Sequence, residues 1–277
     1  MKQAQPIRLI VNADDYAYFA CTSRGILDGV RAGSITATGI LANAENLSEQ
    51  LDWLAAIDGI DVGIHLNLTH GSPLTTTMQH KLSAYQGRFP GLYRMSYLVL
   101  SGKIGREDVA DEWRAQIERC RQFKLKFLNS HQHIHMLPDL LPIAVALAED
   151  YQIAYVRQTL PDWHLHRHCQ PGVVLRNLLL QTVNIINRSA RQTASPRLIG
   201  LNGSGQLNLP YLENLFARLS GGQCYELMCH PCYFDDTEIS DQSLLAYHHW
   251  EAELALLNSP ELQSLYQKYN IRLSGYA

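Results

Sequence analysis

Short apolar runs rich in β-branched residues alternate along the chain with longer stretches in which apolar residues return every three or four positions. This is the pattern of parallel strands joined by crossover helices. The runs predict strands at 8–13, 34–41, 61–68, 126–130, 153–157, 197–201 and 225–229, with an eighth at 271–274. Between them, 23–32 reads as a helix opened by a Thr22/Ser23 cap and closed by Gly33. Segment 105–123 stacks Val109, Trp113, Ile117 and Cys120 on one face and leaves Glu107, Asp111, Glu118 and Arg121 for water. Further helices are expected at 140–148, after Pro138, and at 173–186. Segments 70–103 and 160–172 fit neither period and read as long loops, either pocket walls at the carboxyl ends of strands or surface elaboration. No linker, charge block or repeat divides the chain, so the pattern predicts a single-domain α/β barrel over 1–277, with seven or eight mostly parallel strands.

Composition narrows the partners. The chain has 277 residues, 46% of them hydrophobic, with 23 Lys+Arg against 26 Asp+Glu and a net charge of -3. That suits a folded domain and gives no basic footprint for nucleic acid. Six scattered cysteines do not form a disulfide framework, and the apolar run after the polar start is too brief for a signal-peptide core, so a cytoplasmic protein without a transmembrane segment is expected.

The chemistry lies in the polar residues at the expected strand ends, which converge in a parallel barrel. Asn12-Ala13-Asp14-Asp15-Tyr16 follows the first run, and His65 sits within the third. Asn129-Ser130-His131-Gln132-His133-Ile134-His135 follows the fourth, and Met228-Cys229-His230-Pro231 the seventh. Adjacent carboxylates repel unless they share a cation or proton, and on extended backbone Asp14 and Asp15 point to opposite sides. One can then bind a metal while the other acts as base; a turn or helix cap is the plainer reading of the pair. His65, inside an otherwise apolar strand, reads by itself more as a hydrogen-bonded core histidine than as a ligand. His131, His133 and His135 alternate and would share one face of an extended segment, which favours metal ligation. The Cys229/Cys232 spacing has no second pair and reads as incidental, and Gly203-Ser204-Gly205 lacks the Lys of a phosphate loop.

Taken in order, Asn12 to Tyr16, Gly25-Ile26, Gly33 to Thr38, Ala42-Asn43, Gly63 to Thr69 with Gly71 and Pro73, Ser130 to His135 and Glu226 to Pro231 resemble the YdjC-like carbohydrate deacetylases, the ChbG/HpnK group. The resemblance implies a distorted (β/α) barrel, TIM-barrel-like, and one divalent metal ion, Mg2+ or Zn2+. It further implies removal of an N-acetyl group from an amino sugar; an N-acetylglucosamine-type oligosaccharide and a glycolipid met at the inner face of a membrane are the two substrates to weigh. Position by position it makes Asp15, His65 and His131 the metal ligands, Asp14 the general base and His230 the general acid. Asn129, His133, His135, Arg157 and Glu226 are assigned to substrate binding or to the residues supporting the ligands. The chain departs from the family pattern at Tyr16-Ala17, where Phe-Gly is usual, and at Asn129, where Asp is usual.

Tyr93, Tyr97, Trp163, His164 and His166 are candidates for an aromatic wall against sugar rings, or for packing anchors. The apolar segments 92–100 and 173–186 could face a lipid-linked sugar, the core or a homodimer partner. The alternatives to a sugar deacetylase are a metal-dependent amidohydrolase acting on a non-sugar amide and a glycan-binding barrel without catalysis.

Overall fold

The computed structural model describes residues 5–163, 171–190, 195–239 and 241–276. Every expected strand is present: β1 Ile7–Tyr16, β2 Ala37–Ile40, β3 Asp61–Leu66, β4 Leu125–Ser130, β5 Tyr155–Val156, β6 Arg197–Ile199, β7 Cys224–Cys229 and β8 Ile271–Leu273. The sheet reads β5-β4-β3-β2-β1-β7-β6, with β8 on β1, and the pairings β1/β7, β1/β8, β3/β4, β4/β5 and β6/β7 are all parallel. This is the expected α/β architecture of a distorted (β/α) barrel.

The chain forms two compact units, one of residues up to Thr38, Asp52–Asp61 and those from Pro196 on, the other of Gly39–Leu51 and Val62–Ser195. In the first, β1 and β7 pair without a slip from Arg8↔Cys224 to Ala13↔Cys229. Asp14 and His230 are therefore the next residues at the same end of neighbouring strands. In the second, the β3/β4 register slips once: Val62 pairs with Leu125 but Gly63 with Phe127, so Lys126 is the extra residue of a bulge. The slip brings His65 opposite Asn129; without it His65 would face Leu128. Gly63 permits it, because a Cβ there would run into the Phe127 carbonyl and ring.

The helices depart from expectation in informative places. The first spans Ala20–Arg31, three residues earlier than the Thr22/Ser23 cap predicted, and its N-cap Phe19 makes no side-chain hydrogen bond. The Ser23 hydroxyl instead accepts the backbone N–H of Ala17, closing the turn out of β1. Gly33 does end this helix in a left-handed conformation, φ 72°. Segment 70–103 is not all loop, since it contains the helices Thr76–Lys81 and Leu92–Leu100 and a 3-10 turn at Ser83–Tyr85. Those helices are short, and loop residues such as Pro73, Gly87 and Gly91 hide their period. Helix Pro171–Ile186 buries Asn177, Leu180 and Asn184 and turns Leu175, Leu178, Leu179, Ile185 and Ile186 outward. The asparagines explain its orientation: Asn177 bonds the Asp162 backbone and Asn184 donates to the Thr159 carbonyl. No helix among the described residues is long and apolar enough to cross a membrane.

Two stability measurements test these readings. Gly63→Ala should lower the urea midpoint by the equivalent of about 1–3 kcal/mol, because the bulge cannot accommodate the methyl. Ala17 adopts φ 70°, a conformation that costs an L-residue about 1–2 kcal/mol, so Ala17→Gly should raise the same midpoint, net of glycine's greater unfolded-state entropy.

Candidate metal and catalytic site

β1 buries almost every residue it contains and carries Asp14 and Asp15, 1% and 7% exposed, just before its last residue, Tyr16. Extended geometry does not persist to its tip: Asp15 takes φ 69° and Ala17 φ 70°, on either side of the buried Tyr16. The simple alternation expected for the two carboxylates therefore breaks at Asp15. Asn12, two positions back on the same face as Asp14, donates its side-chain amide to Asp14 Oδ1 at 2.7 Å.

His65 is buried on β3, and its Nδ1 lies 2.7 Å from Asn129 Oδ1. An amide oxygen only accepts, so Nδ1 carries the hydrogen and Nε2 presents its lone pair. Asn129 thus performs the orienting task that a carboxylate would perform, without its charge. Gly39 leaves the room for this pair, since a Cβ there would sit 3.1 Å from Asn129 Oδ1 and 3.2 Å from His65 Cβ.

The three alternating histidines do not share a face. β4 stops at Ser130, and His131–Met136 turns into a 3-10 segment in which Gln132 and His133 adopt φ 54° and 55°. His135 is turned into the interior, with Nδ1 against Ser130 Oγ and Nε2 2.8 Å from the Arg157 carbonyl, so both ring nitrogens are committed to shaping the turn. His133 Nδ1 meets Thr159 Oγ1 at 3.1 Å. His131 alone stays beside His65, ring centroids 5.5 Å apart and nearly perpendicular.

Asp15, His65 and His131 each offer one ligand atom, and these atoms lie within 4.8 Å of one another. One carboxylate and two imidazoles, one of them locked in the metal-ready tautomer, suit a divalent cation with open positions for water or substrate. His133 and His135 do not belong to this group.

At the end of β7, the buried His230 donates its backbone N–H to Glu253 Oε2 at 2.8 Å. Glu253 is wholly buried, and its other oxygen accepts the Leu207 N–H at 3.1 Å. Burial pushes its carboxyl up, while the His230 and His249 charges and the two backbone donors oppose that.

The sequence model described as YdjC-like protein matches residues 8–268. The chain belongs to the YdjC-like family. Proteins named chitooligosaccharide deacetylase from Yersinia pestis (strain Pestoides F) and Yersinia pseudotuberculosis serotype O:1b are each 29% identical over 281 residues, covering 97% of both chains. A crystal structure from Enterococcus faecalis V583, named for cellobiose-phosphate cleavage, superposes with a TM-score of 0.73 over 98% of both chains at 22% identity. That likeness establishes the fold.

In this YdjC-like chain, Arg157, which follows β5, and Glu226, on β7, are each buried, 2% and 1% exposed. Tyr93 and Tyr97 project from helix Leu92–Leu100 into solvent, and Trp163 is 43% exposed. His164 and His166 lie outside the described residues. The Cys229 and Cys232 thiols go separate ways, Cys229 to the Asn12 carbonyl and Cys232 to Thr22 and Cys21, consistent with incidental spacing.

Sequence reasoning missed Glu112, Gln116 and Glu253. Glu112, wholly buried, accepts the backbone N–H groups of Leu74 and Thr75 and the Thr75 hydroxyl. Gln116 pairs with both backbone groups of Asn67. Together they fasten the loop that follows His65. Their signal was available: two polar residues four apart, inside the apolar stripe of helix Arg106–Glu118.

Asn129→Leu leaves the buried His65 Nδ1 without its acceptor. Titration calorimetry with Zn2+ should show affinity about 10–100-fold weaker, whereas Asn129→Asp should bind at least as tightly as the native chain.

Proposed function

We propose that this protein hydrolyses the N-acetyl group of an amino sugar of the chitooligosaccharide type, releasing acetate and a free amine, with one divalent metal ion held by Asp15, His65 and His131. The observation that carries this reading is the mutual approach of those three ligand atoms, supported by the names of the Yersinia relatives. Two imidazoles and a carboxylate suit Zn2+; Mg2+ would draw more of its shell from water.

When bound, such a cation polarises the acetamide carbonyl and makes a water at the site more acidic. The remaining work falls to side chains. Asp14, held by the Asn12 amide, takes the proton of the attacking water. An amide nitrogen leaves poorly as an anion, so His230 protonates it as the C–N bond breaks. Asn129 keeps the His65 ring in register, while Glu112 and Gln116 hold the loop beyond it. Arg157, Glu226 and His133 are proposed to support the ligands or the sugar, and His135 to hold the turn that carries His131.

Acetate release from N,N′-diacetylchitobiose, with metal content measured in parallel, tests the division of roles. Asp14→Asn should lose about 100- to 10,000-fold in kcat with metal retained. His65→Ala should lose metal and activity together. Equal metal loss in the two variants would remove the distinction between base and ligand; a metal-loaded native chain that releases no acetate from any N-acetylated sugar would remove the substrate class.

A further inference from the structure

An imidazole that delivers a proton must be held at one angle, and the usual holder is a hydrogen bond to its second nitrogen. Among the described residues His230 has no such bond: its Nδ1 is buried without a hydrogen-bond partner there, and Glu253 holds only its backbone N–H. Its neighbours hold the ring by packing. The His248 ring lies 5.1 Å from that of His230, tilted by 56°, and stacks on Trp250 at 5.0 Å with the planes 6° apart. Trp250 is fixed in turn in a buried cluster with Cys21, Cys232 and Ile239. The backbone is pinned at the same place, since the His249 N–H bonds the Gly205 carbonyl at 2.7 Å. Gly205, at φ 77°, is required there, because a Cβ would come within 2.9 Å of the Tyr247 carbonyl and 3.1 Å of His248 Nδ1.

We infer that His248 is a positioning residue for His230: clamped against Trp250, it fixes the angle at which His230 Nε2 presents its proton to the leaving nitrogen. The inference rests on the deacetylase reading for the role of His230, but the ring contact stands without it. His248 gains and loses no proton in this scheme. The proton passes from His230 to the departing amine as the C–N bond breaks and the hydroxyl of the attacking water remains on the acetyl carbon.

The test uses His248→Ala and His248→Phe in the metal-loaded full chain. On N,N′-diacetylchitobiose, His248→Ala should lower kcat about 10- to 100-fold with KM changed by less than about twofold, while His248→Phe, which keeps the flat ring and discards the nitrogens, should stay within about threefold of native. With 4-nitrophenyl acetate, whose phenolate leaves without a proton, both variants should match the native chain. Independently of turnover, the His230 ring-proton NMR signals should lose their ring-current displacement in His248→Ala and keep it in His248→Phe. The inference is overturned if His248→Ala leaves the amide kcat and the His230 signals unchanged, if His248→Phe is as impaired as His248→Ala, or if ester and amide turnover fall together. A native chain inert on acetamides with the NMR shifts as expected would sink the deacetylase reading and leave only the packing role of His248.

Discussion

The register between β3 and β4 is the constraint on which the site rests. Paired residues of parallel strands put their side chains on the same face, so whether His65 meets Asn129 or Leu128 depends on a single bulged residue, Lys126. An imidazole opposite leucine would be buried with both nitrogens in search of partners, at a cost of about 1–3 kcal/mol for each group left unmet. Opposite Asn129 one nitrogen is satisfied and the other is aimed. The bulge is in turn allowed by Gly63, whose missing side chain lets the Phe127 backbone close in. One glycine thus connects local backbone geometry to the tautomer of His65.

The same economy governs the loops. Glu112 and Glu253 are side chains fully removed from water, and each spends both oxygens on backbone N–H groups, of Leu74 and Thr75 in one case and of Leu207 and His230 in the other. A carboxyl group buried in this way cannot release such bonds without being left unsatisfied away from water, at a cost of about 1–3 kcal/mol. The loop after His65 and the segment after β7 are therefore fastened from behind by anchors that need not touch a substrate. Positive φ at Asp15 and Ala17 adds backbone strain at the tip of β1, the pattern expected where the surrounding structure overdetermines a functional conformation.

The two departures from the family pattern have different physical weights. Ala17 keeps the left-handed turn and bears a steric cost that glycine would avoid. Asn129 keeps the hydrogen bond to His65 but contributes no negative charge, so the imidazole is oriented without being made more basic by a carboxylate neighbour.

The sequence by itself determined the strand order of chemistry: eight apolar runs with polar residues at their ends made the α/β alternation, Asp14, Asp15, His65, His131 and His230 legible, because strand burial and period are local properties. The resemblance to the family proposes Asp15 as ligand and Asp14 as base, a division that spacing alone left open. Other features were decided only in three dimensions. The His131–His133–His135 repeat looks like one strand face, but two left-handed residues turn it, and His135 is consumed by Ser130 and the Arg157 carbonyl. The helix start near Thr22 moved because Ser23 is needed by Ala17 across the turn. Glu112, Gln116, Glu253 and His248 sit far in sequence from the groups they hold, and helical period reports only which face a residue occupies, not which distant N–H or ring waits there. Local pattern thus fixes the elements; the choice among partners belongs to contacts that exist only once the chain has folded.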